Sequence, residues 1–195
     1  NNPTFAASLA ALADLFCNDA FSVAHRAHAS TTGLAKYLPS CAGKLMENEL
    51  KALESVLDQP KRPVVTVVGG AKISTKIALI ENLIEEVDSI IIGGAMANTF
   101  LFSKGFSVGR SLVEESLKPT ALRILNKAEK YSCEIILPTD LVIAKELSEN
   151  TPTLVVSANK CPEKYMILDA GPSTLDNIKK CINSAKTLLW NGPLG

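Results

Sequence analysis

Three short apolar runs, at residues 64–68 (VVTVV), 89–92 (SIII) and 187–190 (TLLW), each stop at glycine or Asn-Gly, and helical patterns lie between them. Runs of Val, Ile and Leu without polar alternation suit strands buried on both faces, and strands separated by helices pair in parallel. This limits the fold to α/β, with a mainly parallel sheet covered by helices on both sides. The stretches EIILP, LVIA and TLVVS continue the strand texture, and IALIENLI, AMANTFLFSK, residues 119–130 and GPSTLDNIKKCINSA the helical one. In a parallel sheet the three glycine-ended strands finish on one edge, the carboxyl edge, where open α/β sheets bind ligands. Glycine has no Cβ and lets backbone N–H groups approach an anion. A single Gly-Gly after a strand serves as readily for a tight turn; three on one edge favour a site.

The region before residue 60 has a different texture. Asn2 as N-cap and Pro3 at the first helical position open a helix with Leu9, Leu12 and Ala13 on one face, and LFCNDAF reads as a strand running into a loop. From Gly43 to Asp58, Met46, Leu50, Leu53 and Leu57 recur at the spacing of an amphipathic helix. That helix ends at Gln59-Pro60-Lys61-Arg62-Pro63, the clearest linker in the chain. The chain opens on Asn1 without a methionine and stops directly after an apolar strand, which reads as a piece of something longer.

At 47% hydrophobic residues a sizeable core is within reach. Lys+Arg and Asp+Glu both number 20, so there is no global field to hold nucleic acid or an anionic membrane, and any anion must be met locally. Cys17, Cys41, Cys133, Cys161 and Cys181 stand far apart, with no CxxC pair and only two histidines, so neither a disulfide framework nor a zinc site is indicated. No apolar run approaches the ~18 residues of a membrane span, and the first residues of the sequence do not show a basic n-region followed by an apolar h-region. A soluble, cytoplasmic protein with reduced thiols is expected.

Two segments carry chemistry. In Gly69-Gly70-Ala71-Lys72-Ile73-Ser74-Thr75-Lys76 a helix N-terminus, Ser74 or Thr75 as its cap, and two lysines four apart converge on one spot that suits phosphate. The string matches neither GxxxxGK[ST] nor GxGxxG, which speaks against the common NTPase loop and against a dinucleotide-binding dehydrogenase. In NDAFSVAHRAHAS, His25, Arg26 and His28 fall within four residues. A guanidinium fork flanked by imidazoles suits a small, multiply charged anion, although composition alone fits a solvated patch slightly better.

These segments, together with LMENELKALESVL, IIGGAMANTFL, LDAGPST and LLWNGPLG in that order, resemble the phosphoglycerate kinase family over essentially all 195 residues. The resemblance implies two Rossmann-like three-layer lobes with mainly parallel sheets. It also implies a cytoplasmic, glycolytic monomer that moves a phosphoryl group between 1,3-bisphosphoglycerate and ADP, giving 3-phosphoglycerate and ATP, with Mg2+ carried on the nucleotide. Neither nucleic acid nor membrane is implied as a partner. By the same resemblance residues 1–43 end a glycerate-binding lobe, 44–60 form an interdomain helix and linker, and 61–195 belong to a nucleotide-binding lobe. Arg26, with His25 and His28 beside it, matches the glycerate-binding patch. Lys72 matches the catalytic lysine that follows the moving phosphoryl group, and Lys76 the lysine on the nucleotide's phosphates. Gly70, Ala71, Gly93 and Gly94 match nucleotide-binding backbone, and Asn191 the phosphate end of that site. Ile167 stands where the family often has glycine near the adenine, and Thr75 where it often has an acidic residue. No metal ligand is implied among these residues. The family's catalytic arginine and first glycerate-binding loop match nothing here, nor do the acidic residue on the ribose and the glycine-rich loop at the metal and phosphates. A piece alone is therefore expected to bind nucleotide weakly, without turnover.

Overall fold

The computed structural model describes residues 2–58 and 60–195, apart from the side chains of Val56 and Leu57. The chain divides into two compact units, Asn1–Gln59 and Pro60–Gly195.

In the first unit, α1 (Pro3–Ala10) starts as its sequence dictates. The Asn2 side chain accepts hydrogen bonds from Thr4 N at 3.0 Å and Phe5 N at 3.3 Å, and Pro3 fills the position where a missing N–H costs nothing. Its buried residues are Ala6 and Ala10, not the expected face of Leu9, Leu12 and Ala13. The helix stops at Ala10, which takes Leu12 and Ala13 out of its period, and Leu12 is 82% exposed. Gly33 comes so close to Ala6 that a Cβ there would lie 3.0 Å away, a spacing only small side chains permit. Strand β1 (Phe16–Asn18) pairs in parallel with β2 (Ser40–Ala42), and α2 (Phe21–Ala24) lies between them in sequence. The amphipathic stretch forms α3 (Lys44–Leu57), whose first turn is held by Asp19 Oδ1 accepting from Met46 N at 2.9 Å. Met46 is buried and Leu50 exposed, while the expected Leu57 contact falls outside the described residues.

The second unit runs β3 (Val64–Gly69), α4 (Ile77–Leu83), β4 (Ser89–Gly93), α5 (Met96–Ser103), α6 (Lys118–Lys130) and β5 (Glu134–Ile136). It continues with β6 (Asp140–Ala144), β7 (Leu154–Ser157), β8 (Met166–Ala170), α7 (Pro172–Ser184) and β9 (Thr187–Asn191). The apolar runs at 64–68, 89–92 and 187–190 join β5 in one parallel sheet of order β5-β4-β3-β9. Alternate residues feed two cores. Val64, Val68, Ile90 and Ile92 face α4, α5 and α6 through Ile80, Met96, Phe100 and Ile124. Val65, Val67 and Ile91 face α7 through Ile178. Burial on both faces explains why these strands read as continuous apolar runs rather than alternating ones.

LVIA and TLVVS do not extend the parallel sheet. As β6 and β7 they join β8 in a separate antiparallel sheet of order β7-β6-β8. No helix separates β6 from β7, and a parallel return would need a crossover longer than the segment between them. Strand β8, over MILDA, is half-buried along most of its length and carries little periodic signal. Among the described residues no helix is long and apolar enough to cross a membrane.

Candidate functional site

The three glycine-ended strands finish side by side. Gly69 is the register partner of Gly93, and Val68 of Asn191. From β3 the chain moves to β4 and β5 on one side and later returns to β9 on the other, so the gap between β3 and β9 is a topological switch point. The loops beyond these strands interlock. Met96 N donates to Gly70 O at 2.9 Å and Gly94 N to Leu194 O at 2.7 Å. Gly94 has φ +66°, and a Cβ there would meet the Gly70 backbone, so this position requires glycine both by conformation and by space.

The lysine loop leaves β3 through Gly70 and Ala71. Ile73, fully buried, anchors a single 3-10 turn over Ile73–Thr75, and α4 follows from Lys76. Neither Ser74 nor Thr75 caps α4, contrary to the sequence expectation, because the intervening turn moves both away from the helix start. Thr75 Oγ1 instead donates to Lys72 O at 2.9 Å, closing the turn. Lys76 Nζ contacts Asn191 Oδ1 and so spans the switch point. Lys72, which opens the turn, is exposed. The structure thus brings Gly70, Ala71, Lys72, Lys76, Gly93, Gly94 and Asn191 to one edge.

Beside this edge lies a mainly apolar cleft of about 290 Å3, lined by Gly94, Ala97, Leu141, Leu147, Ile167 and Leu194 among others. Ile167 is among its lining residues, and its N–H is taken by Ser111 Oγ at 2.8 Å. A larger hollow of about 790 Å3 opens beside β5, but none of the strand-end glycines or loop lysines lines it. Its position on the far edge of the sheet, away from the switch point, makes it the weaker candidate. The α7 N-terminus is filled by the protein's own anion. Asp140 accepts from Ser173 N at 3.0 Å, Thr174 N at 2.7 Å and Thr174 Oγ1 at 2.6 Å. Burial pushes this carboxyl up, but those hydrogen bonds outweigh it and hold it below the usual range.

Chemically, the edge offers two ammonium groups and glycine backbone at one end and an apolar cleft at the other, a match for a phosphate chain attached to a flat apolar group. Among the described residues no group of three or more His, Cys, Asp or Glu could hold a metal ion. Sequence reasoning missed two residues that shape the edge. Glu114 accepts from Ser74 N at 3.0 Å and from Ser74 Oγ at 2.6 Å, and Ser111 secures Ile167. Neither lies in a local motif, and only the fold brings them to their partners.

In the first unit His25 ends α2, and His28 opens the helical turn Ala29–Gly33. Thr31 Oγ1 donates to Arg26 O at 2.6 Å, and His28 N donates to the same carbonyl at 2.9 Å, which holds the segment in a compact bend. His25, Arg26 and His28 are all exposed, and among the described residues Arg26 makes no ion pair.

The profile of the phosphoglycerate kinase family matches residues 1–195. The chain belongs to the phosphoglycerate kinase family. It is 55% identical over 195 residues to the phosphoglycerate kinase of Ruegeria pomeroyi and 57% identical to that of Jannaschia sp., covering 100% of this chain and 49% of each relative. Among solved structures, phosphoglycerate kinase from Coxiella burnetii matches with a TM-score of 0.85 at 43% identity, over 100% of this chain and 50% of that one. The Pyrococcus horikoshii phosphoglycerate kinase matches at 0.81 and 26%, over 51% of its chain. The chain thus spans about half the length of the phosphoglycerate kinases it matches, and its α/β architecture is that of the family's kinases.

Proposed function

We propose that this chain belongs to a phosphoglycerate kinase, which carries out a reversible phosphoryl transfer from 1,3-bisphosphoglycerate to ADP, giving 3-phosphoglycerate and ATP in glycolysis, and that it supplies nucleotide-binding residues and part of the glycerate-binding patch. The observation that carries this reading is the switch point, where Lys76 meets Asn191 between the β3 and β9 tips and an apolar cleft opens alongside. In this reading the cleft holds the base and Ile167 shapes its wall. Gly70, Ala71, Gly93 and Gly94 lie along the nucleotide, Lys76 and Asn191 hold its phosphates, and Arg26, with His25 and His28, takes the glycerate. Lys72 is the catalytic residue. An ammonium that gains its best contacts when the phosphoryl group is midway lowers the barrier rather than merely tightening binding. Magnesium enters, in this reading, on the nucleotide. The protein acts as a cytoplasmic monomer, with neither nucleic acid nor membrane as partner.

A second reading is favoured by the chain's covering about half of its relatives' length: alone, it is a weak nucleotide-binding module without turnover. Intact mass and a coupled assay for ATP formation separate the two. A sample of 20.8 kDa that binds ADP weakly and forms no ATP supports the module. In a protein of full family length containing this sequence, Lys72→Ala is expected to lower turnover by about 10²-fold, the scale of losing one preorganised donor. Unchanged turnover would remove Lys72 from the mechanism.

A further inference from the structure

The turn between the two lysines is held from outside its own segment. Ser74, exposed on the loop, gives its N–H to one oxygen of Glu114 and its hydroxyl to the other, at 3.0 and 2.6 Å across 40 residues of sequence. Glu114 is itself tied down. Its N–H donates to Thr99 Oγ1 at 3.1 Å, and Asn98 Nδ2 donates to Leu112 O at 3.1 Å. Thr99 and Asn98 are buried on α5, the helix that follows the Gly93-Gly94 tip. A continuous path therefore runs from the β4 tip through α5 and residues 112–114 to the lysine turn.

We propose that Glu114 is a positioning residue, whose carboxylate fixes the Ile73–Thr75 turn and so sets how Lys72 and Lys76 meet a nucleotide's phosphates. The proposal rests on the nucleotide reading above. Lys72 and Lys76 flank the turn on either side, so any rotation of Ser74 re-aims both stems. A loop that must be ordered on binding loses affinity in proportion to the time it spends elsewhere, and a lysine misplaced by about 1 Å loses much of its catalytic contact. Burial pushes the Glu114 carboxyl up, but the Ser74 hydroxyl, the Ser74 and Ile73 N–H groups and the charge of Lys72 outweigh it, keeping the carboxyl below its usual range and charged at neutral pH.

The opposing reading makes Glu114 a stand-in, an internal anion on donors that phosphate would otherwise take. A stand-in must leave when the ligand arrives. The backbone that carries this carboxylate is tethered at Glu114 N–H by Thr99 and at Leu112 O by Asn98 to a buried helix, which suits a support.

The two readings predict opposite signs. In the 195-residue chain, Glu114→Ala is expected to weaken ADP binding about tenfold, the low end for hydrogen bonds to a charged group, as read by NMR titration. Without nucleotide, the Ser74 amide should lose hydrogen-exchange protection while amides of β3 and α5 keep theirs. Ser74→Ala removes only the hydroxyl arm and should weaken ADP binding less, which keeps the proposal open to test if Glu114→Ala fails to fold. Tighter ADP binding in Glu114→Ala would establish the stand-in and overturn the proposal. Loss of Ser74 protection with unchanged ADP affinity would overturn the positioning role alone. No ADP binding by the unsubstituted chain would overturn the nucleotide reading itself, and with it any role of Glu114 toward phosphates.

Discussion

Replacing Gly94 by alanine puts the interlocking of the strand-end loops to a quantitative test. Two costs add at this position. Gly94 has φ +66°, where an L-residue costs about 1–2 kcal/mol. The new Cβ would also stand 2.6 Å from Gly70 O and 2.9 Å from Gly70 N, backbone atoms that give way only if the β3 and β4 loops part. Parting them stretches the Met96 N to Gly70 O bond of 2.9 Å, a further loss of about 1 kcal/mol. The expected destabilisation is about 2–3 kcal/mol. Gly105→Ala is the matched control: φ is +87° and nothing lies within 4 Å of the new Cβ, so only the conformational cost of about 1–2 kcal/mol applies. Urea unfolding followed by Trp190, the sole tryptophan and part of β9, reports on the second unit. Equal destabilisation by the two substitutions would refute the contact between the loops. Weakened ADP binding should accompany Gly94→Ala and not Gly105→Ala.

Two further predictions concern polar groups inside the second unit. Thr66 Oγ1 is buried with no hydrogen-bond partner among the described residues, on the strand face between Val64 and Val68. Thr66→Val keeps the shape and removes the orphaned hydroxyl, so it should stabilise the unit by about 1 kcal/mol in urea unfolding; a clear loss would mean the hydroxyl is satisfied. For Asp140, the hydrogen bonds from Ser173 and Thr174 favour the charged form in the folded state, so the unfolded chain binds more protons. The resulting stability is fully present above the ordinary Asp pKa of about 4 and is lost as pH falls through the lower, folded value. Asp140→Asn should therefore be less stable at pH 7 and show a flatter decline below about pH 4, and parallel acid profiles would count against this.

What the sequence disclosed follows the range of each interaction. Strands 64–68 and 89–92 were legible because burial on both faces leaves a continuous apolar run, and their shared edge followed from parallel pairing. The antiparallel β6-β7-β8 sheet was not legible as such, since short strands of mixed burial look alike whichever way they pair. The supposed cap at Ser74 or Thr75 failed for a local reason: one 3-10 turn, invisible to a periodicity argument, separates those residues from α4. Glu114 was out of reach altogether, because its partner lies 40 residues away and nothing in its neighbourhood marks it.

The charge pattern of the lysine loop completes the physical picture. The chain has no net charge, so attraction for an anion is set within a few ångströms of the edge. There the two lysines are differently engaged. Lys76 rests on the neutral Oδ1 of Asn191, whereas Lys72 opens the turn that Glu114 holds through Ser74. In the nucleotide reading proposed above, an arriving phosphate exchanges a neutral partner for a charged one at Lys76, while at Lys72 the Glu114 carboxylate, engaged by Ser74, holds the turn that aims the lysine. Ground-state binding should depend mainly on Lys76. In the same reading Lys72, aimed by the turn rather than resting on Asn191, gains its best contact as charge develops on the moving phosphoryl group, which is the condition for acting on the barrier rather than on affinity.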